Sequence, residues 1–212
     1  MNVHTQIILL LLFSISINAQ QGQILRTTEL SEPFIDERDG QVYETITYKV
    51  VYPDKTNHSF TWMASNLNYA MDSSYCYDNI KEHCETYGRL YTWEAANEAC
   101  PNSWHLPSDE EWYLLAFHFG GNCKCGDFLK SDSTLWKSPN SRGTNESMFN
   151  AIPSGLGSKM NTYYRIGWMA IFWSSNERDE NTAWDWKLTS GSELQRWFGS
   201  KHAKNSIRCI KD

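Results

Sequence analysis

The order of apolar and polar positions changes character several times along the chain, and each change marks an element. Val42 to Tyr52, "VYETITYKVVY", is rich in β-branched and aromatic residues and predicts a strand, entered from the Asp39-Gly40 turn. "FTWMA" at 60–64 predicts a second, shorter strand, and Asn66 to Tyr87 reads as loop. Two helices follow. Thr92 can cap "WEAANEA", with Glu94 in the electropositive first turn and Pro101 ending the run. The second helix begins at Ser108. Its Trp112, Leu115, Ala116 and Phe119 fall at i, i+3, i+4 and i+7, so one apolar stripe faces a core until Gly120-Gly121 stops it. Beyond residue 122 the helical period disappears into Gly, Ser, Asn and isolated aromatics. Short strands are predicted there at "AIFWSS" (170–175), "AWDWKL" (183–188) and "SIRCIK" (206–211). In "AWDWKL", alternation sets Trp184, Trp186 and Leu188 on one face and Asp185 and Lys187 on the other, which predicts a half-buried strand. Helices bracketed by strands and long loops, with no internal repeat, give an α+β fold class.

The ends of the chain add a compartment. The first 19 residues carry no Asp, Glu, Lys or Arg, and Ile7 to Ile17 is almost unbroken apolar sequence. A membrane helix needs roughly 20 apolar residues, so this run predicts a secretory signal peptide over 1–19, cleaved after Ala19. Residues 20–38 are polar and aperiodic and predict a tail or linker; 39–212 then form one domain. No later segment is apolar enough to span a membrane. The net charge of −6, with no basic patch, argues against nucleic acid as a partner.

All six cysteines follow the predicted signal, and an even number in an exported chain reads as a disulfide set. Cys76 and Cys84 flank a short polar loop and are expected to pair. Cys100 and Cys209 would then tie a central helix to the C-terminus, a closure worth about 4–5 kcal/mol in the chain-entropy account. Cys123-Lys124-Cys125 is expected as a third disulfide, with a soft-metal site such as copper as the alternative.

"WHLPSDEEW" (104–112) has the residue types of an acid/base site. Its spacing says otherwise: Ser108 and Glu111, three apart before an amphipathic run, form a capping box. Asp109 and Glu110 then sit where the helix dipole favours negative charge by about 0.3–1 kcal/mol each, and Trp112 opens the buried stripe. His105 is left as a core or loop residue. No HExxH, GxSxG or phosphate-binding glycine loop is present, and no catalytic pair or triad is picked out. The chain is rich in aromatics, with 10 Trp, 11 Tyr and 9 Phe. Trp62, Trp93, Trp104, Trp112 and Trp173 have core patterning. Trp136, Tyr163, Tyr164, Trp168 and Trp197 sit among Gly, Ser and charged residues in predicted loops, which makes them the candidate ligand-binding residues.

The strings "FIDERDGQVYETI", "WMASNLNYA", "CYDN", "YGRLYTWEAANEACPNSWHLPSDEEW", "FNAIPSG", "FWSSNE" and "SIRCIKD" occur in this order. Together they closely resemble the Fibrobacter succinogenes major paralogous domain family of secreted bacterial proteins, from about Phe34 to Asp212. "WHLPSDEEW" and "IRCIKD" are also similar to strings of the formylglycine-generating (sulfatase-modifying) enzyme fold, a relative of the C-type lectin fold. That wider resemblance implies a single domain in which strands from both ends meet, with Arg208 packing back on the core. The enzymes' reactive cysteine pair has no match here, and "CKC" departs from the family pattern, so Cys123 and Cys125 inherit no role.

The expectation is a secreted or cell-surface, non-catalytic binding or adhesion domain. Its expected ligand is carbohydrate, such as plant cell-wall polysaccharide. The alternatives are a glycan hydrolase, a copper/cysteine oxidase, or a structural module that binds a surface protein. No cofactor or metal is assigned. Structural calcium is considered only at "NERDEN" (176–181), where a solvated turn is the simpler reading.

Overall fold

A computed structural model of the chain describes residues 24–137 and 143–212. The predicted signal peptide lies outside the described residues. In chain order the strands are β1 (Leu25–Ile35), β2 (Val42–Val51), β3 (Asn57–Met63), β4 (Ser74–Tyr75), β5 (Leu90–Tyr91), β6 (Trp104–His105), β7 (Leu156–Gly157), β8 (Tyr163–Tyr164), β9 (Ala170–Glu177), β10 (Thr182–Leu188), β11 (Leu194–Ser200) and β12 (Ile210–Lys211). The α-helices are α1 (Lys81–Tyr87), α2 (Trp93–Ala99), α3 (Asp109–His118) and α4 (Gly126–Leu129). The class is α+β with antiparallel sheets.

The larger sheet has five strands in the order β1-β2-β3-β12-β6, and a separate three-stranded sheet runs β11-β10-β9. The C-terminal strand therefore sits between β3 and β6, with Ile210 opposite both Trp62 and His105. Cys100–Cys209 staples this closure to the end of α2, and Cys76–Cys84 staples the segment before α1.

Both ends of α3 are built as local chemistry requires. The Ser108 side chain accepts from the Glu111 amide at 3.3 Å, and Glu111 Oε2 accepts from the Ser108 amide at 2.7 Å. Trp112, Leu115 and Ala116 are fully buried in a core that joins α3 to β2, β3, β9 and β10. A second core lies across β9, where Trp173 meets Ala95, Ala96 and Ala99 of α2. The three-stranded sheet is thus covered on both faces, Phe172 pointing into one core and Trp173 into the other.

Several expectations need correction. Residues 25–35, expected within a tail or linker, form β1, paired with β2 from Leu25–Val51 to Ile35–Val42. Backbone pairing needs no apolar period, and polar pairs suffice here. Ser31 and Thr47 hydroxyls meet at 2.6 Å, Lys49 bonds Glu29, and Thr28 Oγ1 lies 3.2 Å from His118 Nε2. The segment 66–87, expected as loop, contains β4 and α1. Of 206–211 only Ile210–Lys211 is strand. Leu194–Ser200 is a strand that no alternation announced.

Cys123 and Cys125 are not bridged; both are free thiols, Cys123 exposed and Cys125 buried. The amides of Lys124 and Cys125 both bond Gly121 O, so this stretch is a helical turn. Residues two apart on such a turn point to nearly opposite sides, which separates the two sulfurs. Burial pushes the Cys125 thiol up to about 12. A protonated, enclosed thiol is a poor ligand for copper, and among the described residues no group of three His, Cys, Asp or Glu converges as a metal site.

Candidate functional site

"WHLPSDEEW" is occupied with architecture. Glu111 caps α3 and also bonds His105 Nε2 at 2.8 Å, while His105 Nδ1 meets Asp212 Oδ1 at 2.6 Å. Burial works to lower the His105 pKa, but the bonds to Asp212 and Glu111 outweigh it and the net shift is upward. The histidine is a tie between the chain end and α3. Asp109 goes further than answering the helix dipole. It is buried, accepts from Trp186 Nε1 at 2.8 Å, and pairs with Arg196 through Nε at 2.8 Å and Nη2 at 2.5 Å.

The five candidate aromatics separate. Trp136 is a correction: it is buried in the first core and donates from Nε1 to Ala151 O at 3.0 Å. A sequence window of polar neighbours cannot show that a loop folds inward. Tyr163 is committed to structure, its hydroxyl 3.1 Å from Asn79 Oδ1 and its ring centroid 5.5 Å from the buried Lys204 ammonium. Trp168 is 40% exposed with Lys137 Nζ 6.0 Å from its ring centroid, and it lies outside the cleft described next. Tyr164 and Trp197, 49% and 54% exposed, come together.

They line one cleft of about 370 Å³ on the three-stranded sheet, shared with Asp185, Lys187, Arg165 and Asn205. Strand register explains the grouping. Asp185 lies opposite Trp197 of β11, and Lys187 follows two positions later on the same face of β10, roughly 6–7 Å along the strand. Lys187 Nζ sits 4.3 Å from the Trp197 ring centroid. Gly199, on the same face of β11, makes room for the carboxyl: a methyl group there would stand 3.1 Å from Asp185 Oδ2.

Asp185 was expected on the solvent side of a half-buried strand, and this too is corrected. It is only 5% exposed: Trp173 of β9 lies opposite it in register, and Leu156 of β7 lines that face with Met169 and Ala203. Its Oδ1 has no hydrogen-bond partner, and neither has Asn205 Oδ1, also buried in the cleft lining. Burial pushes the Asp185 carboxyl from its ordinary 3.8 to about 7, against the opposing pull of Lys187, with Asp109 adding to the rise. Buried polar atoms are rarely left unpaired, so two orphaned acceptors in one cleft mark a place where donors are to be received. The alternation of "AWDWKL" exposed the pairing of Asp185 and Lys187, but only folding buries the carboxyl and orphans it.

The other candidate sites dissolve. At 176–181, Asp179 accepts from the Asn181 amide at 3.0 Å and the Thr182 amide and hydroxyl at 2.9 and 2.6 Å, closing its own turn. Arg208 is fully buried and donates to Asn66 Oδ1 at 3.0 Å and to the carbonyls of Phe149 and Asn150. Burial draws its pKa down to about 9, and its guanidinium lies 4.1 Å from the Phe149 ring centroid, a core role.

The family model of the Fibrobacter succinogenes major domain matches residues 56–211, and the chain belongs to that family. No curated protein and no solved structure matches it.

Proposed function

We propose that this member of the Fibrobacter succinogenes major domain family is an exported, non-catalytic binding domain whose Asp185 cleft takes carbohydrate, with plant cell-wall polysaccharide as the ligand class. One observation carries the reading. Two buried acceptors without partners, Asp185 Oδ1 and Asn205 Oδ1, line the same cleft as the half-exposed rings of Trp197 and Tyr164. A sugar ring offers hydroxyl donors at its edge and C–H groups on its face. It satisfies the oxygens and covers the rings in one pose.

Glycoside hydrolysis needs two carboxyl groups flanking the bond, about 5–9.5 Å apart. Asp185 is the single carboxyl lining this cleft, which favours holding a glycan over cutting it. Two disulfides support export to an oxidising compartment. Among the described residues no helix is long and apolar enough to cross a membrane. A C-type-lectin-like arrangement, shared with the sulfatase-modifying fold, is supported by the C-terminal β12 set between β3 and β6 and by the Cys100–Cys209 staple.

The test is affinity electrophoresis of the chain from residue 20 onward through gels cast with cell-wall polysaccharides. Retardation is expected in at least one gel and is lost in Trp197→Ala and Asp185→Ala. Free migration of the intact protein in every gel would show the carbohydrate reading to be wrong.

A further inference from the structure

We propose that the cleft selects acidic polysaccharide, with the carboxylate of a uronate residue held between Arg165 and Lys187; this rests on the carbohydrate reading above. The chain carries a net charge of −6, yet the two fixed charges in this cleft, Arg165 and Lys187, are both cations. Every ion pair among the described residues involves other cations. Arg38, Lys49, Lys81, Lys130, Arg178, Arg196 and Lys201 are matched to carboxylates, while Arg165 and Lys187 are not.

Their placement fits a sugar acid on the aromatic wall. Lys187 Nζ lies over the Trp197 ring, 4.3 Å from its centroid, so a sugar acid that reaches this tryptophan meets the ammonium on the ring's own face. Arg165 enters from the turn after β8. The amides of Trp168 and Met169 both bond its carbonyl, at 2.9 and 3.1 Å, which anchors the backbone while the side chain stays exposed. A guanidinium offers a planar fork matched to a carboxylate, which an ammonium complements as a point charge.

The remaining charged group does not cancel them. Asp185 is buried beside Lys187, and burial raises it to about 7, so in mildly acidic medium it is largely neutral and offers an O–H donor. The charged groups around it are Lys187 on its own strand and Arg165 from the loop over the cleft. Asp109 of α3 acts from the far side of the sheet, where it is paired with Arg196. Lowering the pH from 8 to 6 therefore removes one negative charge from the cleft, while a uronate, with a carboxyl of ordinary pKa about 3–4, keeps its own. Binding of an acidic glycan strengthens over that interval. A neutral glycan gains nothing from it, since the carboxylate is the better acceptor for hydroxyls.

The experiment compares polygalacturonate, its methyl ester, and neutral xylan as gel-cast ligands for the chain from residue 20 onward. Expected is retardation by polygalacturonate at least about tenfold stronger than by the ester. Arg165→Ala and Lys187→Ala should each weaken it by about tenfold, the loss of one charge-assisted contact, and retention should rise from pH 8 to pH 6. Both side chains are outside the two cores, and circular dichroism of each variant confirms the fold. Equal retention on acid and ester, or no effect of either variant, would overturn the acidic selection and leave the carbohydrate reading standing. Retention on none of the polymers would overturn both.

Discussion

Replacing Asp185 by Asn separates what this carboxyl does for function from what it does to stability. The side chain keeps its shape and loses its titration. Burial raises the carboxyl from 3.8 to about 7 in the folded chain. Between those values the folded state holds a proton that the unfolded state has released, so stability falls as pH rises, by about 1.36 kcal/mol per unit. Over roughly three units the ionised carboxyl costs the fold about 4 kcal/mol, a cost fully present above pH 7 and absent below pH 4. Urea unfolding of the wild type and Asp185→Asn at pH 4, 5.5, 7 and 8.5 reads this directly. The variant carries a fixed offset from its amide, so the quantity to follow is how the difference changes with pH. It should move in favour of the variant by several kcal/mol from pH 4 to 8.5 and flatten above pH 7. Two parallel profiles would refute the argument, because they would mean that the carboxyl titrates alike folded and unfolded. The side chain of the variant is neutral at every pH, so polygalacturonate retention should lose its rise from pH 8 to pH 6 and stay at the wild type's pH 6 level, while the fold gains stability at pH 8.5.

Other expectations follow from the same geometry. Trp136→Ala should cost about 3–5 kcal/mol in urea unfolding, as for a buried indole, whereas Trp197→Ala, on a half-exposed edge strand, should cost under about 1 kcal/mol; reversal of that order would contradict the burial of Trp136. In the native protein a maleimide should label Cys123 alone, with Cys125 reacting only after denaturation and Cys76, Cys84, Cys100 and Cys209 only after reduction; a native mass lower by two hydrogens at 123–125 would establish the bridge instead. His105→Gln should destabilise more at pH 5.5 than at pH 9. A histidine whose pKa is raised by Asp212 and Glu111 stabilises while protonated and loses that contribution as pH climbs through its folded value, so a gap that widens toward pH 9 would contradict it.

Much of the frame could be read before folding because local chemistry dictates it. Thr92 accepts from the Ala95 amide and Ser108 from that of Glu111, because orphaned amides at a helix start need an oxygen at that spacing. Trp112, Leu115 and Ala116 are buried because their spacing places them on one face. Cys76 and Cys84 pair because they flank one short loop. β1 and β11 were harder to read. The first is a polar strand joined by backbone bonds that leave no mark in side-chain pattern, and the second is an edge strand whose partner, β10, supplies its register.

The candidate site divides along the same line. Aromatic loops pointed to Tyr164 and Trp197, and equally to Trp136, which the fold turns inward, and Tyr163, which it ties to Asn79. Sequence by itself determined the helix caps, the apolar stripe, the chain's family and the alternation that sets Asp185 beside Lys187. Tertiary structure alone decided that distant segments enclose that face. Burial depends on which distant segments come to lie on a strand, and no local pattern carries that information. The orphaned Asp185 and Asn205 oxygens, and with them the cleft, exist only once Leu156, Met169 and Ala203 have been brought across β10.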